Sequence, residues 1–185
     1  MPLLNTETAW GWPAKALHWL VAGLVLAMLP LGFAMVWLVS ALGTKFELYQ
    51  LHKSLGVLVW ALVLARLAWR WLNPLVPALP ADLAPWEHVA ARLTHGVLYL
   101  LLLVLPVTGW IMASTSPLGL PTLVFGLFTL PNPFGPDAAL EGAMKLVHGG
   151  LALLVALLLA LHVGAALHHH FVRRDGVLAR MLPWR

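Results

Sequence analysis

Nine histidines and no cysteine define the metal chemistry open to this 185-residue chain. Without thiols there can be no disulfide, no iron–sulfur cluster, no thiolate zinc site and no covalent haem attachment through C-x-x-C-H. Imidazole is left as the ligand. Four histidines, His18, His52, His148 and His162, stand inside long apolar runs. An ionisable group in such a run is costly and defaults to a functional reading. His148 and His162 are fourteen residues apart. At about 100° and 1.5 Å per residue they share one helix face, roughly 21 Å apart in height.

The elements that must carry these residues follow from composition. Hydrophobic residues make up 61% of the chain and charged residues only 10%, against about 25% charged in a soluble domain. Lipid is the simpler solvent for such a chain. The length suits one all-α domain, residues 1–185, a four-helix up-down-up-down membrane bundle. Each span needs roughly 20 apolar residues. The apolar runs predict spans over about 14–39, 46–71, 86–113 and 140–172. The first is too long for a signal-peptide core of about 7–15 residues and reads as a retained span. Between them lie a tight loop at 41–45, a proline-rich loop at 73–85 and a long loop at 114–139. The last holds Leu123, Val124, Phe125, Leu127 and Phe128, and is expected to lie at the interface and cover one end of the bundle.

Alternating helices bring the histidines to matched levels. His52 falls level with His148 near one surface, and His18 with His162 near the other. Two facing imidazoles are what the iron of a flat macrocycle needs, one on each side. A single intramembrane histidine is more often satisfied by an interhelical hydrogen bond, but two matched pairs point to two haems. Zinc or copper would gather its ligands in one small sphere, which two levels roughly 21 Å apart do not allow. Arg66, fourteen residues after His52, sits at the level of His18 and His162 and is placed to pair with a haem propionate. Gly32 is fourteen after His18, Gly109 fourteen after His95, and Gly56 one turn after His52. Glycine admits a close neighbour to the backbone, whether a cofactor or a packed helix.

The remaining histidines are His88, His95, His168, His169 and His170. By default they are solvated interface residues. His95 and His169 are also candidates for haem or quinone surroundings, His169 because it follows His162 by seven residues on the same face. The net charge of +4 comes with no basic stripe, glycine-rich phosphate loop or nucleotide motif, so no nucleic-acid partner is expected. Lys15, Arg66, Arg70, Arg92, Arg173, Arg174, Arg180 and Arg185 fall on the side of both termini, and only Lys45, Lys53 and Lys145 on the other. Lys and Arg excess marks the cytoplasmic side, so both termini are expected inside.

These residues carry a family likeness. The segments "ALHWL" around His18, "LHKSLGVLVWALVLARLAWR" with His52 and Arg66, "HGVLYLLLLVLPVTGWIM", "KLVHGGLALLVALLLALHVGAALHHHF" with His148 and His162, and the tail "RRDGVLARMLP" resemble the prokaryotic cytochrome b561 family over essentially the whole chain. The resemblance implies two non-covalent haems b, one held by His18 with His162, the other by His52 with His148. It implies an inner bacterial membrane and superoxide oxidase activity: electrons from superoxide at the periplasmic face, ubiquinone as acceptor at the cytoplasmic side. Lys53 and Lys145, beside the outer ligands, are then placed to attract the superoxide anion, or simply mark the interface as snorkelling lysines. The alternatives are a cytochrome b relay subunit docked to a larger dehydrogenase or hydrogenase, and a cofactor-free transporter, which would be colourless.

Overall fold

The computed structural model describes residues 2–78, 80 and 83–182. Arg185 therefore lies outside the described residues. Four helices are long and apolar enough to cross a membrane, over Trp12–Leu38, Leu42–Leu72, Pro85–Thr115 and Ala138–Arg173. They comprise α1 (Trp12–Phe33), which runs on as a π-turn at Ala34–Leu38, α2 (Leu42–Leu72), α3 (Pro85–Thr115), and α4 (Ala138–His168), which runs on as a π-turn at His169–Arg173. Each span is longer than its apolar run predicts; at α3 and α4 the added first residues lie where Glu87 and Asp137 cap the helix. The expected loop at 41–45 is a correction of this kind: Leu42 to Lys45 are already helical, with Lys45 N–H donating to Ala41 at 2.9 Å.

Local chemistry explains the helix starts. Pro13 and Pro85 occupy first-turn positions, where their missing N–H costs nothing. The Glu87 carboxylate reaches back to accept from Ala84 N–H at 2.7 Å. Asp137 caps α4, its Oδ1 accepting from Ala139 and Leu140 N–H at 3.0 and 2.9 Å.

The loop at 114–139 is not simply irregular. It folds into an antiparallel hairpin, β1 (Thr122–Val124) with β2 (Phe128–Leu130), in which Val124 pairs with Phe128. Phe125 and Gly126 take left-handed backbone conformations at its turn. The hairpin lies against α2: Gln50 Nε2 and Lys53 Nζ donate to Pro121 O at 2.9 and 3.2 Å, and Phe125 N–H donates to Ser54 Oγ at 3.0 Å. The loop expected to cover one end is thus a hairpin pinned against α2.

Helix α1 packs along α2, α2 meets α3, and α3 runs closely along α4, while α4 stands off from α1 and α2. The buried core is Val21, Val25, Val59, Val63, Leu101 and Val155. Val155 is midway between His148 and His162, so this valine-rich layer separates the two histidine levels. The opposite end is tied by the tail. Lys15 Nζ and Trp19 Nε1 donate to the carbonyls of Leu182 and Met181 at 3.1 and 2.7 Å, and Arg180 donates to Ala78 O. N-terminal segment, second loop and C-terminal tail thus meet at one end of the bundle.

Candidate functional site

The gap between α4 and its two distant neighbours contains the histidine pairs. The rings of His18 and His162 have centroids 6.2 Å apart with planes crossing at 70°; those of His52 and His148 are 6.3 Å apart at 73°. A metal–imidazole bond is about 2 Å long, so an iron midway between two rings sets their centroids roughly 6 Å apart. Both pairs meet that spacing. Among the described residues no group of three or more His, Cys, Asp or Glu side chains could enclose an ion. That suits a metal that brings its equatorial ligands with it and needs only two from the protein.

The inner pair borders an open cleft lined by Val21, Val25, Leu102 and Val155 together with Arg66, His95 and Tyr99. Apolar walls with one cationic end suit a macrocycle carrying carboxylates on one edge. Arg66 is already oriented there, its Nε donating to Tyr99 Oη at 2.7 Å and its Nη1 to Ala14 O at 3.1 Å. His95 stands 5.1 Å from the His162 ring, with its Nδ1 2.6 Å from Ala91 O.

At the outer pair the fit lies in small residues. A Cβ on Gly109 would come 3.1 Å from His148 Cε1, and one on Gly32 would meet His52 Cε1 at 3.4 Å. Those glycines make room for the imidazoles themselves. Gly56 instead faces the Met28 methyl at 3.7 Å and serves helix packing. His148 Nδ1 lies 3.2 Å from Leu105 O and 3.0 Å from Thr108 Oγ1. An Nδ1–H donated to Leu105 leaves Nε2 as the bare ligand nitrogen, the usual second-shell device of metal histidines. Thr108 went unnoticed in the sequence; its signal was its place beside Gly109, at the level of His148. His52 Nδ1 is buried without a partner.

The family profile described as prokaryotic cytochrome b561 matches residues 9–184. The chain belongs to the prokaryotic cytochrome b561 family. Among curated proteins it is 35% identical to cytochrome b561 homolog 2 of Escherichia coli K12, over 98% of this chain and 95% of that protein. It is 33% identical to cytochrome b561 homolog 1 of the same organism, over 80% and 82%. It is 29% identical to a Yersinia pestis protein named probable superoxide oxidase CybB, over 90% and 92%. This cytochrome b561-family chain is thus a multi-pass membrane electron-transfer protein of a b-type haem family.

The other expected residues fall in three places. His95 lines the inner cleft beside His162; His169 is not among its lining residues. His169 is bonded to Asp175, and Arg173 bridges Glu87 at 3.1 Å and Asp175 at 3.7 Å. Burial alone would raise the Asp175 pKa, but the hydrogen bonds from His169 and Val177 N–H and the nearby Arg173 outweigh it, holding the carboxyl below its ordinary range. Lys53 and Lys145 are on α2 and α4 near the outer pair. Lys53 is pinned to the hairpin, whereas Lys145 is 60% exposed and pairs with Glu141 at 3.0 Å.

Proposed function

We propose that this protein is a superoxide oxidase of the bacterial inner membrane, with both termini cytoplasmic, holding two haems b and passing electrons to ubiquinone. The observation that carries this reading is the two ring pairs at opposite ends of α4, at 6.2 and 6.3 Å. The name of the Yersinia pestis relative supports the choice of superoxide as donor. Bound between each pair, haem iron supplies a reversible one-electron centre.

The chain does the rest. His18 with His162, and His52 with His148, hold the two irons. Arg66 and Tyr99 pair with carboxylates at the inner site. Leu105 and Thr108 set the tautomer of His148. The valine layer between the levels excludes water. Lys53 and Lys145 raise the local concentration of an anionic substrate at the outer face. Each superoxide gives up one electron and leaves as O₂. A quinone takes two electrons and two protons, so two superoxide anions are consumed per hydroquinone.

The test begins with a reduced-minus-oxidised spectrum of protein purified in detergent, with a haem-to-protein ratio. Two haems per chain are expected, and xanthine oxidase-generated superoxide should reduce them without a partner protein. His52→Ala or His148→Ala should each lose the same haem, and His18→Ala or His162→Ala the other. One haem per chain, or histidine variants that do not behave as pairs, would sink the ligand assignment. Haems that stay oxidised until a dehydrogenase or hydrogenase subunit is added would replace the oxidase reading with that of a relay subunit.

A further inference from the structure

Helix α4 stands off from α1, yet the inner pair needs His18 of α1 and His162 of α4 at a fixed spacing across that gap. Among the described residues no hydrogen bond orients either ring, in contrast to His148 with its Leu105 and Thr108 partners. What crosses the gap at this end is the C-terminal tail. It leaves α4 after Arg173 and ends against α1, where Lys15 Nζ donates to Leu182 O at 3.1 Å and Trp19 Nε1 to Met181 O at 2.7 Å. We propose that residues 175–182 form a strap that ties α4 to α1, and that Trp19 is the positioning residue through which the strap holds His18 for the inner iron. This rests on the two-haem reading above.

The two donors flank the ligand. Lys15 precedes His18 by three residues, about one helical turn, and Trp19 follows it directly. The Trp19 indole meets the His18 imidazole edge to face, their centroids 5.3 Å apart and their planes at 74°. The tail carbonyl that fixes the indole N–H therefore fixes a ring that borders the ligand. Lys15 is the second anchor. It is only 3% exposed, and a buried ammonium is costly without acceptors. Leu182 O supplies one, so the tail and α1 hold each other.

The tail is shaped to present those carbonyls. At its start Asp175 is bonded to His169, and Val177 N–H donates to Asp175 Oδ1 at 3.1 Å. Gly176 then turns the chain at a φ of 77°, a conformation that glycine adopts without strain. Ala179–Met181 make one short 3-10 turn, with Met181 N–H donating to Leu178 O at 2.9 Å. The last carbonyls of a helical turn have no partner inside it, and those of Met181 and Leu182 find theirs on α1. Arg180 donates to Ala78 O, which fastens the strap sideways to the second loop.

The test follows release of haem to apomyoglobin from haem-loaded protein in detergent. His52→Ala protein keeps the inner haem alone and His18→Ala protein the outer, so each site is read separately. Trp19→Phe keeps an aromatic ring and removes the N–H. Gly176→Val acts at a distance from His18: an added side chain there meets nothing within 4 Å, but the positive φ opposes it. Each variant should speed release of the inner haem about fivefold, the worth of one hydrogen bond, and leave the outer haem as it was. The low-spin EPR signal of the oxidised inner haem reports the angle between its two imidazole planes, and it should shift or broaden in the same variants. Unchanged release and signal in either variant would overturn the strap, as would equal acceleration at both sites, which marks a general loosening of the bundle. His52→Ala protein that holds no haem would instead remove the ligand assignment itself.

Discussion

At the scale of single residues, the outer site depends on what stands behind the imidazoles. His148 has its Nδ1 between Leu105 O and Thr108 Oγ1, and Thr108 also donates to Leu105 O at 2.7 Å. Thr108→Val keeps the shape and removes the hydroxyl. Outer-shell partners of metal histidines are worth about 10–100-fold in affinity. The variant should therefore release the outer haem at least about tenfold more readily to apomyoglobin, with the inner haem unaffected. Equal loss from both sites, or from neither, would show that the hydroxyl does not orient this ligand. The histidines themselves were legible in the sequence, because spacing alone puts residues fourteen apart on one face. Thr108 was not, because a hydroxyl in a span usually bonds to its own helix. Only the approach of α4 gives it a second partner.

At the scale of elements, the hairpin over the outer end is the least predictable part. Phe125 carries a positive φ of 49°, a conformation that costs an L-residue roughly 1–2 kcal/mol. It is held there by its N–H bond to Ser54 Oγ, on a serine 2% exposed. Ser54→Ala leaves that amide without its acceptor, a loss of about 1–3 kcal/mol. Hydrogen exchange at residues 122–130 of the haem-loaded protein should accelerate about tenfold or more, while exchange in α4 stays the same. Unchanged protection across the hairpin would mean that its own strand pairing suffices. The sequence pattern here was three-residue strands amid proline and glycine, too short to stand out by periodicity. By contrast, the four helices were legible from composition, and only their ends moved, at α3 and α4 to where Glu87 and Asp137 cap the helix.

At the scale of the whole molecule, the bundle is asymmetric in charge. The end that gathers the N-terminal segment, second loop and tail holds Lys15, Arg66, Arg70, Arg173 and Arg180, whereas the hairpin end holds Lys45, Lys53 and Lys145. The positive-inside rule supports the proposed orientation, with the first end cytoplasmic. A fluorescent protein fused to the C-terminus should fold and fluoresce. Alkaline phosphatase inserted after Gly135 should be active, since that enzyme needs an oxidising compartment. An active phosphatase at the C-terminus would invert the orientation, and with it the faces assigned to superoxide and quinone.

Hydrophobicity and helical spacing, both local properties, determined by themselves that this chain makes four spans, that its candidate ligands are histidines, and that those of the last span face one way at two heights. Such facts depend only on the residues of one helix and the solvent around it. The distances that decide chemistry depend on how helices lie against one another, and these came from the tertiary structure alone. It set α4 apart from α1 and α2, leaving imidazoles 6.2 and 6.3 Å apart across the gap. It turned Gly32 and Gly109 toward those rings. It also brought Trp10, from the segment before α1, and Trp69, near the end of α2, to one cleft beside Arg66. No spacing rule links those two residues, because they are joined only through the packing of separate elements.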